Sequence, residues 1–214
     1  MRRVLWIWVL LVVVCAVPAA AQGGGGTSKL HGRVFVWGDA QQMTAKESFE
    51  AVTGSSSLSG AGVGLEVHRV WRKVFLRAAT SKLTADGERV FVFDGTVFPL
   101  GIPLEVSMRP VEIGAGWRFS PVGKRLVPYL GAGVLWMKYN EATSGDSSSE
   151  AVRETWRGAV VFGGVDVQVW RAVSAGAEVA WRSATVKDPG GVFAAFGEDS
   201  LGGASVRVLL SIGR

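Results

Sequence analysis

The chain has 214 residues, enough for one domain of ordinary size, and its 29 glycines, 10% aromatic and only 19% charged residues exclude a disordered polyelectrolyte and a coiled coil. The net charge of +5 falls to +3 once Arg2 and Arg3 are assigned to a leader, and the basic residues stand singly along apolar stretches, so nucleic acid is not an expected partner. One cysteine excludes a disulfide framework and a cysteine-based zinc site, and no metal-ligand spacing or phosphate-cradling loop points to a cofactor.

Met1-Arg2-Arg3 is a short cationic start, residues 4–17 are apolar, and Pro18-Ala19-Ala20-Ala21-Gln22 places small residues before a cut after Ala21. Residues 1–21 therefore read as a secretory signal peptide, since some ~14 apolar residues are too few for a spanning helix. Cys15 lies within it. Residues 22–29, opening on Gln22 and four glycines, read as a flexible tether, and residues 30–214 as the folded domain.

From Leu30 onward no stretch has a convincing helical period, whereas period-two alternation recurs in eight segments. In chain order they are Gly32–Asp39, Ser59–Arg69, Lys73–Lys82, Leu104–Arg118, Val127–Tyr139, Arg157–Val169, Val173–Thr185 and Gly202–Gly213. Most are longer than the usual ~5 or 6 residues of globular strands and match the roughly 9 to 11 needed to cross a bilayer at a tilt. The connections alternate. Those after the second, fourth and sixth segments are short (70–72, 119–126 and 170–172), and those after the others are long and polar (40–58, 83–103, 140–156 and 186–201). The pattern predicts an all-β, eight-stranded antiparallel up-and-down transmembrane β-barrel with its long loops at one end.

One face of most segments is apolar. Ala61, Val63, Leu65 and Val67 oppose Gly62, Gly64, Glu66 and His68; Val206, Val208, Leu210 and Ile212 oppose Ser205, Arg207 and Ser211. The opposite faces are rich in Gly, Ser and Ala with isolated charges of both signs, as a narrow lumen requires and a solvated sheet does not. Glu66, Glu105, Glu112, Asp166 and Glu178 are expected to meet Arg77, Arg109, Arg118, Arg182 and Arg207 there, because desolvated charges need partners. The seven tryptophans beyond the leader fall near segment ends and predict two interfacial belts, with Trp71, Trp117 and Trp170 by the short turns and Trp37, Trp136, Trp156 and Trp181 toward the long loops.

Two places depart from the pattern. In the fourth segment the apolar phase runs through Leu104, Val106 and Met108, then resumes at Val111, Ile113, Ala115 and Trp117, which predicts a bulge at Arg109-Pro110. In the first, Val34 and Val36 oppose Phe35 and Trp37, and the outward face is not assigned.

With its leader, its alternating segments, and the stretches Val111–Phe119 and Pro128–Val134, the chain resembles small bacterial outer-membrane β-barrels, the eight-stranded group of OmpA-like and OmpW-like domains. Residues 88–104 also resemble a segment of uncharacterised outer-membrane barrels. The resemblance implies export to the outer membrane of a Gram-negative-type bacterium, surrounding outer-membrane lipid, and periplasmic chaperones and the barrel-assembly machinery as partners. Such barrels usually end on an aromatic residue; here the last residues are Ser211-Ile212-Gly213-Arg214.

An eight-stranded membrane barrel holds little more than its own side chains, so a closed, charge-filled lumen is expected rather than a general pore. The leading expectation is a structural or surface-interacting barrel whose ligand the sequence does not name. One alternative is a narrow conduit for small hydrophobic molecules, as in OmpW-like barrels, with the hairpin Val90–Phe98 turning at Asp94-Gly95 at its entrance. Another is a secreted soluble barrel, lipocalin-like, with its faces inverted. An enzyme is not expected: the only histidines, His31 and His68, map to the turn end, away from the loop-rim acids Asp39, Glu47, Glu50, Glu141, Asp146 and Glu198 that a barrel protease would use. His68 reads as a lumenal hydrogen-bonding group.

Overall fold

The computed structural model describes residues 31–93, 95–123, 125–143, 152–185 and 191–213; the expected leader and tether lie outside them. Period-two segments of this length cannot satisfy their backbone groups alone, and they do so here by pairing around a ring. The strands are β1 (His31–Met43), β2 (Ser57–Trp71), β3 (Val74–Phe93), β4 (Thr96–Arg118), β5 (Leu126–Thr143), β6 (Val152–Gln168), β7 (Val173–Thr185) and β8 (Ser200–Gly213). Each pairs antiparallel with its sequence neighbours, and β1 closes on β8, from Arg33 opposite Gly213 to Met43 opposite Gly203. Closure leaves no free edge around the ring itself.

The three short turns lie at one end of the ring. At the other, two of the long connections carry helices: α1 (Lys46–Thr53), ended by Gly54 in the left-handed region at φ 70°, and α2 (Gly191–Phe196). The connection at 83–103, expected to be a polar loop, is instead strand. β3 and β4 run on for 20 and 23 residues and meet as one hairpin, with Phe91 opposite Phe98 and Phe93 opposite Thr96. The hairpin extends two wall strands and adds none. Its irregularity falls between Glu88 and Val90, near Gly101 at φ 71°.

The bulge expected at Arg109-Pro110 is absent. β4 pairs with β5 in one unbroken register from Leu104 opposite Thr143 to Arg118 opposite Tyr129, and Thr80 opposite Val111 keeps the same offset toward β3 as Leu83 opposite Met108. Leu104, Val106 and Met108 therefore share the inward phase of Glu112 and are buried. The apparent change of phase is a change in what fills the barrel. Toward the loop end the interior is apolar, formed by these residues with Met43, Leu58, Leu83, Leu135, Met137 and Trp156, and it is capped by Phe49 and Val52 of α1 and Phe193 of α2.

The outer wall carries the aliphatic set. Val63, Leu65 and Val67 on β2, Val161, Val165 and Val167 on β6, and Val206, Val208, Leu210 and Ile212 on β8 are all exposed. Soluble monomers rarely expose contiguous apolar patches beyond a few hundred Å², and here aliphatic side chains are exposed on β2, β6 and β8 alike. A lipocalin-like soluble barrel needs the opposite arrangement.

Candidate functional site: the ionic lumen

β1 supplies the register that sequence alone left open. Its odd-numbered residues point inward, so Arg33, Phe35, Trp37, Asp39, Gln41 and Met43 are all buried. Arg33 and Asp39 thereby join the lumenal charges, and Asp39 is not a loop-rim acid. The missed signal is the period-two series Arg33, Phe35, Trp37, Asp39 and Gln41, whose polar members mark the inner face despite the bulky aromatics between them.

Nearest the short turns, Arg33 and Arg118 alternate with Glu66 and Asp166. Arg33 donates to Glu66 and to Asp166, each at 2.7 Å; Arg118 reaches Asp166 at 2.7 Å and Glu66 at 3.1 Å. His68 Nε2 lies 3.3 Å from Glu66, at the turn end as expected. Above this ring come Phe35, Phe75, Tyr129 and Phe162. Arg77 threads between them, with its guanidinium 4.5 Å from the Phe35 centroid and 4.6 Å from that of Phe162.

The middle of the lumen holds three arginines and three acids. Glu178 accepts from Arg77 at 2.5 Å, from Arg207 at 2.7 Å and from the Tyr129 hydroxyl at 2.9 Å. Glu112 accepts from Arg207 at 2.6 Å and from Arg182 at 2.8 Å, while Asp39 accepts from Arg182 at 2.8 Å. Gln41 accepts a further bond from Arg182. The five arginines of the two tiers thus face five acids, and formal charge cancels within each tier. Arg182 and Arg207 have no exposed surface. Neutrality is what such burial demands, because an unpaired ion costs several kcal/mol to desolvate.

Glycines give the aromatic side chains room. Trp37 lies across its register partner Gly62, Phe35 across Gly64, Phe75 across Gly116 and Phe162 across Gly131; at each, a Cβ would overlap the ring.

Of the ten charged residues expected inside, Glu105 and Arg109 are corrected: both are exposed on the outer wall. The unbroken phase of β4 places odd-numbered residues outward at this level, where Glu105 pairs with Lys82 at 3.3 Å and Arg109 lines a recess of about 500 Å³ with Lys138, Asn140 and Thr155. Glu66, Arg77, Glu112, Arg118, Asp166, Glu178, Arg182 and Arg207 point into the lumen. Two tryptophans expected in the belts are also corrected. Trp37 follows the inward phase of β1, and Trp156 is buried in the apolar cap, its indole donating to Glu154 at 2.9 Å and meeting Phe193 edge-on at 5.7 Å. Trp71, Trp117, Trp170 and Trp181 are exposed on the outer wall or at its ends, and Trp136 is half-buried on the outward phase of β5.

A closed antiparallel ring of eight strands, aliphatic outside and ionic within, is the architecture of a small outer-membrane β-barrel. Comparison with solved structures agrees: Neisserial surface protein A matches over 88% of this chain and 99% of its own at a TM-score of 0.55 and 11% identity, which shows a shared fold. The N-terminal β-barrel domain of Pseudomonas aeruginosa OprF matches 85% of this chain and 97% of its own (TM-score 0.44, 14% identity), and a major outer membrane protein from Thermus thermophilus matches 86% and 99% (TM-score 0.48, 9% identity). No sequence-family model and no curated protein matches the chain.

Proposed function

We propose that the protein is a non-catalytic, non-conducting resident of the outer membrane, with its short turns toward the periplasm and its hairpin and helices displayed at the surface. The observation that carries this reading is the filled lumen. A permeant molecule would have to displace two neutral tiers of buried ion pairs and then the apolar cap around Phe49, Trp156 and Phe193. Eight-stranded rings leave room for side chains and little else, so no alternative path runs beside them. The surface role is supported by the long β3–β4 hairpin, on which Phe91 packs 6.5 Å from Phe93 and from Phe98, with all three rings exposed.

The test is reconstitution of the refolded protein into planar bilayers. Folded barrel, identified by a gel mobility that shifts on boiling, is expected to give no channel current. Stable unitary currents from heat-modifiable protein would overturn the closed-lumen reading in favour of a conduit.

A further inference from the structure

The charges of the three short connections at the turn end have one sign. The stretches 69–73, 119–125 and 168–172 contain Arg69, Arg72, Lys73, Lys124, Arg125 and Arg171 and not one aspartate or glutamate. Among the described residues of these stretches all the cations are exposed, whereas the loop end mixes both signs, with Glu47, Glu50, Asp86 and Glu105 exposed beside Lys46 and Lys82. The turn-end cations do not stand on hydrophilic turns. Val70, Val122 and Val169 are exposed at the tips, Trp71 and Trp170 are 66% and 74% exposed, and the Arg72 guanidinium sits 5.6 Å from the Trp71 ring. Arg69 and Arg72 hold positive φ values of 59° and 54°, an unfavourable backbone for residues other than glycine, in the turn that carries Trp71.

A turn projecting into water would gain nothing from bare valine and tryptophan. A turn lying at the level of lipid head groups gains from both components: the apolar groups enter the acyl boundary and the cations meet phosphates. We infer that the turn end of the barrel is a binding surface for anionic phospholipid head groups of the leaflet facing the short turns, with Arg69, Arg72, Lys73, Arg125 and Arg171 as phosphate-contacting cations and Trp71 and Trp170 as their interfacial anchors. The charge sign argues for an acidic rather than a zwitterionic lipid, and the exposed apolar tips argue for a lipid surface rather than a dissolved polyanion. The inference rests on the membrane reading of the barrel.

The experiment uses tryptophan quenching by brominated lipids. The full chain carrying Trp6→Phe, Trp8→Phe, Trp136→Phe and Trp181→Phe, which retains the turn-end tryptophans, is reconstituted in vesicles of zwitterionic phosphatidylcholine containing either brominated phosphatidylcholine or brominated phosphatidylglycerol. Quenching by the brominated zwitterionic lipid reports membrane residence by itself, and its absence would sink the membrane reading. The further inference predicts that phosphatidylglycerol quenches with an apparent affinity about tenfold higher, that the preference shrinks as salt rises, and that it disappears when Arg69, Arg72, Lys73, Arg125 and Arg171 are replaced by glutamine in a barrel that still shifts on boiling. Equal quenching by the two lipids at low salt would overturn it. So would a preference that survives the five replacements, or one abolished by millimolar soluble inorganic phosphate, which would make the surface a site for dissolved anions.

Discussion

Arg207 illustrates what the lumen asks of a single residue. It reaches Glu112 and Glu178 directly and lies 3.6 Å from Asp39, with no exposed surface. Replacing it with methionine fills much of the same volume but leaves three buried acids with two arginines, Arg77 and Arg182. The expected cost is about 3–5 kcal/mol, read as a shift in guanidinium unfolding of the barrel in vesicles. Lys82→Ala is the control: it removes a pair whose side chains are 48% and 54% exposed, and the expected change is within about 1 kcal/mol. A loss at Arg207 no larger than that at Lys82 would mean that the acids are relieved by water rather than by guanidinium. Alternation marked Glu66, Glu112, Glu178 and Arg207 as inward in the sequence because each sits in phase with glycine, serine or alanine. Arg33 and Asp39 were hidden because Phe35 and Trp37 share their face, and bulky aromatics inside a narrow ring contradict a rule based on small residues.

At the scale of strands, the aromatics fit because the neighbouring strand has no side chain at the opposing position. Gly131 beneath Phe162 is the clearest case, since Phe162 also flanks the Arg77 guanidinium. Gly131→Val would drive the ring toward Arg77 and is expected to cost about 1–3 kcal/mol as overpacking, measured by the same unfolding assay. An unchanged midpoint would show that the ring has free space to move into. The sequence displayed these glycines as a periodic series, and which ring lies over which glycine followed only from the register. β4 teaches the related lesson. Its hydrophobic residues changed phase in the sequence because Leu104, Val106 and Met108 belong to the apolar cap while Val111, Ile113 and Trp117 belong to the outer wall. Hydrophobicity marks burial in protein and contact with lipid alike, so it cannot distinguish them along one strand.

For the whole molecule, two layers fill the lumen in series: an ionic one through the middle and an apolar one under α1 and α2. They are separable. Truncating the cap with Phe49→Ala and Phe193→Ala removes its central aromatic contacts, at 6.0 Å between the two rings, and is expected to lower stability by a few kcal/mol without opening a path. Bilayer recording of that variant checks this: it should remain silent, because the Arg182–Glu112 and Arg207–Glu178 tier lies below. Current from the cap variant would show that the ionic tiers do not seal the lumen.

The sequence by itself determined the barrel, its eight alternating segments and a mostly legible division of strand faces, because strand geometry has a period of two regardless of tertiary context; the connection read at 83–103 belongs instead to β3 and β4. Only the closed ring decided what meets across the axis. Arg33 and Asp166 are separated by 133 positions and Arg182 and Asp39 by 143, yet each pair lies within hydrogen-bonding distance. Alternation assigns a side of the wall but neither a height along the axis nor an opposite number, and those follow from register, strand tilt and the point at which β1 joins β8.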